Sequence, residues 1–307
     1  MEKWPPGFRH RRVFEIPTVS ISRWRCQGAP PRLGAERSQP SPMIVFAHCG
    51  NFRVHSRAPI GLIDCTRVGF FNPLAPFQSA HPFGGGDSGS DLAIRPDVLA
   101  EILFRYDPRA AERTDQPFPF GSGPLEPQSF LLLRTLLRKV ARPNPIDGLE
   151  IEEWALFLAD RLIRAAFDGA IGSEASRVTR REREEAEDLR GHLSSQPGRR
   201  HQLDTLAREL DSTPFRLCRS FRSATGTTIH RYLTHVRLQQ ALGRLAEGSP
   251  DLSDLAFELG FSSHSHFTSV FRKHLGVPPE TVRRVARAND VASLRRGLSP
   301  IPTAAGN

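Results

Sequence analysis

Leu255-Ala256-Phe257-Glu258-Leu259, followed twelve residues later by Phe271-Arg272 and then Gly276, repeats a plan already used once in this chain. Leu206-Ala207-Arg208-Glu209-Leu210 is followed eleven residues later by Phe221-Arg222 and then Gly226. A segment spelled twice at an offset of about 50 residues is an internal repeat, and its punctuation is that of two helices joined by a turn. The first helix of each unit runs from Leu203 to Leu210 and from Leu252 to Leu259, where Ala207 and Ala256 leave room for a second helix to approach. In unit one, Thr213-Pro214 offers a capping hydroxyl and a proline at the first helical position. In unit two, Gly260 suits a positive φ, and Ser262 or Ser263 can cap the next helix. The second helices then turn Leu217 and Phe221, and Phe267, Val270 and Phe271, inward at helical spacing.

The outward faces carry the functional reading. They hold Phe215, Cys218, Arg219 and Arg222 in unit one, and His264, Ser265, Thr268, Ser269, Arg272 and Lys273 in unit two. None is acidic. A DNA major groove admits one helix and presents base edges to such groups, so Phe215, Cys218, Arg219, His264, Ser265, Thr268 and Ser269 are candidates to read bases. Arg222, Arg272 and Lys273 suit phosphates, which set register without reading sequence. Between the units, Thr228 to Glu247 reads as one helix of roughly 30 Å. Two recognition helices held about 34 Å apart would enter successive major grooves on one face of the duplex.

At these residues the chain resembles the C-terminal domain of the AraC/XylS family of bacterial transcription regulators. The likeness spans about residues 180–286 and is sharpest from Leu255 to Pro279, which ends in the family's Gly-x-x-Pro (Gly276 to Pro279). Tyr232, Arg237 and Ala241 fall where the family has Tyr, Arg and Ala on the connecting helix. Ser269 departs from the arginine often found at its position, and a hydroxyl cannot make the bidentate guanine contact of a guanidinium. The resemblance therefore implies that unit two binds more weakly or reads bases less strictly.

The N-terminal part reads as β. Met43–His48, Asn51–His55, Ile60–Asp64 and Val68–Phe71 are short apolar or alternating runs bounded by Gly, Pro or Asn, the pattern of a sandwich or barrel. The stretch from Gly84 to Ser90 reads as a turn; it lacks the GK[ST] ending of a phosphate loop. Helices come next, from Pro96 to Phe104, along the stripe Leu133, Leu136, Leu137 and Val140, and along Ile151, Trp154, Leu158, Leu162 and Ala165. The stretches Gly50-Asn-Phe-Arg-Val-His and His81-Pro-Phe-Gly-Gly-Gly-Asp resemble the cupin-like sensor domain of many family members. The fold class is thus α+β and multidomain: a small N-terminal β-barrel with following helices, then an all-α domain with two helix-turn-helix units. The expected division is a basic disordered tail at 1–40, a sensor and dimerisation domain at 41–175, the DNA-binding domain at 176–290, with its units at 203–226 and 252–276, and a flexible tail at 291–307.

Charge agrees with a polyanionic partner. Of a net charge of +9, residues 1–40 carry +5 and residues 200–287 carry +5, while 41–199 is close to neutral. No apolar run reaches the ~20 residues of a membrane helix, and the N-terminus lacks a secretory pattern, so a cytoplasmic protein is expected. Cys26, Cys49, Cys65 and Cys218 are too widely spaced for a zinc motif and are expected to be reduced and mostly buried. A metal-dependent cupin enzyme would need paired histidines one residue apart with a nearby carboxylate, and His48, His55 and His81 lack that spacing. A regulator with a sacrificial zinc-bound cysteine cluster, and a pure protein scaffold, are the other rivals. The expectation is a regulator with no catalytic, metal or cofactor residues. It binds double-stranded DNA as a homodimer joined through residues 127–172, contacts RNA polymerase to activate transcription, and answers to a small-molecule effector inside the β unit; a repressor without ligand is the variant.

Overall fold

Period-two patterning in the N-terminal third and period-3.6 patterning beyond it give the chain its two kinds of layer. The computed structural model describes residues 7–27, 33–57, 60–84, 86–141, 147–173, 178–248 and 251–288. Its strands are β1 (Phe8–Glu15), β2 (Val19–Cys26), β3 (Met43–Cys49), β4 (Phe52–Ser56), β5 (Gly61–Ile63), β6 (Arg67–Phe71), β7 (Phe77–Ala80), β8 (Asp87–Ile94) and β9 (Ser122–Pro124). The helices before the repeat are α1 (Pro96–Phe104), α2 (Pro108–Glu112), α3 (Pro127–Val140), α4 (Gly148–Ser173) and α5 (Arg180–Ser195). The repeat and its flank form α6 (Leu203–Glu209), α7 (Pro214–Thr225), α8 (Ile229–Glu247), α9 (Leu252–Glu258), α10 (His264–Leu275) and α11 (Pro279–Ala288).

A six-stranded antiparallel sheet in the order β1-β2-β8-β3-β6-β9 stands beside a three-stranded sheet, β5-β4-β7. Alternation gives the large sheet two unlike faces. Val19, Ile21, Ile44, Phe46, Phe70, Leu92 and Ile94 point into a core with α1, α3 and α4. Trp24, Val45 and Phe71 point the other way, toward Phe52 and Phe77 of the small sheet. On this second face a cavity of about 180 Å³ opens between the sheets, walled by Ser20, Ser22, Trp24, Met43 and Asp91 among others.

Two expectations from the sequence give way to the structure. Phe8 to Cys26 are not part of a disordered tail, since β1 pairs with β2, with a register shift between Arg12 and Phe14, and β2 pairs with β8; residues 1–6 and 28–32 lie outside the described residues. Of the arginines that suggested a solvated arm, Arg9, Arg11 and Arg12 lie exposed on β1, an edge strand, where charge discourages pairing with another chain, and Arg23 and Arg25 lie on β2. The supposed turn from Gly84 to Ser90 does not extend past Gly86, for Asp87 to Ser90 already belong to β8. Gly89 is there for packing: a Cβ would lie 2.0 Å from the carbonyl oxygen of Phe46 and 2.2 Å from the Trp24 ring. The expected flexible tail at 291–307 lies outside the described residues, as does the proposed boundary near residue 176.

The core does not stop at that boundary. One apolar cluster runs from Ile21 in the large sheet through Leu133 and Leu137 of α3 to Val236, Leu242 and Phe267 among the repeat's helices. The stripe of α3 that could have joined two copies is therefore consumed within the chain, packed between α4 and α8. Polar contacts follow the same seam. Gln239 donates to the carbonyl of Leu125 (2.9 Å), Arg138 to that of Ala246 (3.0 Å), and Asn51 to that of Gly191 (3.1 Å). At its centre Asp64, fully buried, accepts from Arg190 (2.7 Å), Tyr232 (2.6 Å) and both the amide and hydroxyl of Thr66. Burial alone would push the Asp64 carboxyl up, but Arg190 and these donors outweigh it and hold it below the ordinary carboxylate range.

Candidate nucleic-acid interface

Each unit is built by local signals. In unit one Thr213 caps α7 by accepting from the amide of Arg216, Pro214 takes the first turn, and Gly226 ends the helix at φ +69°. In unit two Asp251 caps α9, Ser263 caps α10 through the amide of His266, and Gly276 ends it at φ +76°. The turn before α10 uses Gly260 at φ +76°, and the equivalent turn before α7 uses Asp211 at φ +48°. Asp is one of the few side chains that tolerates that region. Leu217, Phe221, Phe267 and Phe271 are fully buried, while Val270 is only partly so.

The outward residues emerge together. Phe215, at 78% exposure, stands with exposed Cys218, Arg219 and Arg222 on one side of α7. On α10, His264, Ser265, Thr268, Ser269, Arg272 and Lys273 line one open concave surface with Gly276. Thr268 is half-buried there, its hydroxyl 3.4 Å from Nε2 of His264. Between the units α8 runs unbroken for 19 residues, roughly 28 Å.

Three features of the structure were not read from sequence. First, α5 borders the outward face of α7: Glu185 pairs with Arg216 (3.7 Å) and Glu182 approaches Arg219 (3.9 Å). The acids of α5 were visible only as a charge run, and nothing in their spacing told which helix they face. Second, Arg237 is a structural residue. It donates to the carbonyls of Pro197 (2.8 Å) and Arg199 (3.2 Å) and lies over the ring of Phe261. It thereby ties the segment after α5 to the turn of unit two. Third, the four thiols are unbridged but divide evenly, Cys26 and Cys65 buried, Cys49 and Cys218 exposed, where mostly buried ones were expected. Among the described residues no helix is long and apolar enough to cross a membrane.

Comparison with known proteins points at this surface. A family described as "Helix-turn-helix domain" matches residues 206–285. The chain is 31% identical over 81 residues to the HTH-type transcriptional activator RhaS of Escherichia coli, covering 26% of this chain and 29% of that one. It is 33% identical over 81 residues to the probable transcription factor PqrA of Proteus vulgaris, covering 26% of this chain and 66% of that one. The likeness to the virulence regulon transcriptional activator VirF of Yersinia enterocolitica is longer: 28% over 198 residues, 62% of this chain and 70% of that one. The matched segment thus spans less than a third of RhaS and somewhat over two thirds of VirF. Among solved structures, ToxT of Vibrio cholerae covers 86% of this chain at 13% identity and TM-score 0.33. A regulator with an AraC-type DNA-binding domain from Chromobacterium violaceum covers 38% at 25% identity and TM-score 0.32.

Proposed function

We propose that the chain is a sequence-specific DNA-binding transcription regulator that acts as an activator, its C-terminal helix-turn-helix domain being of the AraC type. The observation that carries this is the pair of exposed faces on α7 and α10, whose own residues include no acid although Glu182 of α5 approaches Arg219, each the second helix of a capped helix-turn-helix and joined by one unbroken α8. In this reading Phe215, Cys218 and Arg219 read bases from unit one, and His264, Ser265, Thr268 and Ser269 from unit two. Arg222, Arg272 and Lys273 hold phosphates.

The same reading places the protein in the cytoplasm, where it contacts RNA polymerase as a homodimer. Because α3 is enclosed, the second copy would dock on α4, whose Leu149 is 73% exposed. A small-molecule effector would enter the cavity between the sheets. The Asp64, Arg190 and Tyr232 cluster does not line that cavity, but it ties the loop after β5 to α5 and α8 and would carry a shift of the small sheet to those helices. RhaS, VirF and PqrA are all named as regulators, which favours this over a catalytic cupin.

Selection of duplex DNA by the full-length protein from a random pool, followed by footprinting of the winner, tests the proposal. Two protected major-groove segments one turn apart on one face are the expected result. One segment would confine base reading to a single unit, and no enrichment at any salt concentration would sink the reading.

A further inference from the structure

Where β2 ends and β8 begins, Cys26 and Asp87 are directly opposed in the antiparallel ladder. His81 follows β7 of the other sheet and reaches across to both of them. Its Nε2 lies 3.8 Å from Sγ of Cys26, and its Nδ1 lies 3.3 Å from Oδ2 of Asp87. One donor atom from each of the three residues falls within 4.8 Å of the other two. All three line the cavity between the sheets. They are also buried, at 3% exposure for Cys26, 9% for His81 and 4% for Asp87.

Protein groups leave this cluster incomplete. Both carboxylate oxygens of Asp87 and Nδ1 of His81 are buried with no hydrogen bond of acceptable geometry. The Asp87 carboxylate meets the imidazole of His81 and the thiol of Cys26, and a cation held among the three would compensate its burial more fully than these two weak partners do. The backbone is drawn close around it. Gly50, at φ +72°, has room for no Cβ, which would lie 2.6 Å from the carbonyl oxygen of Gly86 and 2.9 Å from Cβ of Asp87. A Cβ on Gly86 would lie 2.7 Å from the carbonyl oxygen of Cys26. The donors are therefore held by two paired strands and a tightly packed turn, not by mobile side chains on a surface.

We propose that Cys26, His81 and Asp87 form a binding site for a divalent transition metal, Zn²⁺ in the first place, with its fourth position open to the cavity. One thiolate, one imidazole and one carboxylate is a donor set suited to Zn²⁺, and three protein ligands with an open position is a recurring arrangement for it. Bond lengths of about 2.0–2.3 Å around a tetrahedral ion put neighbouring donors roughly 3.3–3.8 Å apart, the range in which the distances from His81 to Cys26 and to Asp87 fall. Binding displaces the thiol proton of Cys26 to solvent and leaves a sulfur–metal bond, with no change of oxidation state. Because His81 follows a strand of the small sheet while Cys26 and Asp87 belong to the large one, the ion would staple the two sheets at the edge of the cavity. The sequence hid the site: its members are 55 and 6 residues apart and match no ligand spacing.

The test uses the full-length protein, stripped with a chelator and titrated with Zn²⁺ against a chromophoric competitor, then with Co²⁺. One equivalent per chain and a thiolate-to-cobalt charge-transfer band are expected. Cys26→Ser should abolish the band, and Asp87→Asn should weaken Zn²⁺ binding by about 100-fold or more. Cys49→Ser and Cys218→Ser should change neither. Should Cys26→Ser fail to fold, the wild-type protein still decides: Zn²⁺ should slow alkylation of Cys26, followed by mass spectrometry, while exposed Cys49 reacts as before. No bound equivalent, a band that persists without Cys26, or alkylation of Cys26 indifferent to Zn²⁺ would overturn the proposal. These readouts do not depend on DNA binding, so the two readings fail separately.

Discussion

The hydroxyl of Tyr232 donates to Oδ2 of Asp64 at 2.6 Å, across 168 positions of sequence and from the helix joining the two repeat units to the loop after β5. Arg190 meets the same oxygen at 2.7 Å. Asp64→Asn should therefore cost about 3–5 kcal/mol, since it strands a buried guanidinium. Tyr232→Phe should cost about 1.5–3 kcal/mol, the worth of one hydrogen bond to a charged group. Urea titration of the full chain measures both, and equal small losses would show that the cluster is not an ionic one. Because the folded-state value of Asp64 is depressed, its contribution is complete above pH ~4 and is lost as pH falls through the folded value.

Acid should act earlier through two histidines. Burial holds His48, packed under Phe130, well below its ordinary value, with Arg134 and Arg23 adding to the effect. Burial likewise lowers His235 on α8 to about 4. Both are neutral in the fold, so between pH ~6.5 and ~4 the unfolded chain takes up protons that the folded chain refuses, and stability falls as pH falls. His235 alone accounts for roughly 3 kcal/mol over that window. His235→Gln should lose less stability than wild type between pH 7 and pH 4.5 in urea; an identical loss would remove the histidine from the account.

Glycines at positive φ differ in what surrounds them. A Cβ at Gly260 would lie 2.6 Å from both the carbonyl oxygen of Gly198 and a guanidinium nitrogen of Arg237, whereas Gly226 and Gly276 face open space. Gly260→Ala should cost about 2–4 kcal/mol, and Gly226→Ala or Gly276→Ala about 1–2 kcal/mol each for the backbone alone. Thermal unfolding of the three variants measures the contrast, and three equal shifts would contradict the packing.

On the DNA face the two kinds of contact should separate. Arg219→Ala is expected to cost about 1–3 kcal/mol of binding and to relax one base position. Arg272→Ala should weaken binding to all sequences alike and reduce the salt slope by about 1. Selection and salt titration on the full-length variants distinguish the two. An unchanged preference in Arg219→Ala would remove it from base reading.

The sequence was legible where its signals are local. The repeat's helices match their expected spans to within a residue or two, because Thr213, Ser263, Gly226 and Gly276 announce the ends and the apolar period announces the faces. Strands β3 to β6 were legible through the same alternation. β1, β2 and the start of β8 were not, because composition overshadowed period: arginine on an edge strand resembles a solvated tail, and Gly89 in a crowded strand resembles a turn. Residues joined only by the fold, such as Asp64 with Tyr232 or His81 with Cys26, leave no trace in spacing. The enclosure of α3 escaped for a related reason, since an apolar stripe does not say whose surface covers it.

The uninterrupted core between sheet and repeat carries a thermodynamic corollary. A molecule that binds the folded cavity at a hundred times its dissociation constant adds about 2.7 kcal/mol to the stability of everything that unfolds with it. Where one cluster reaches from Ile21 to Phe267, that includes the helices at the far end. A protease that samples the unfolded chain would then clear both halves together. The cellular level of such a protein would rise and fall with whatever occupies its cavity, even before a single base pair is contacted.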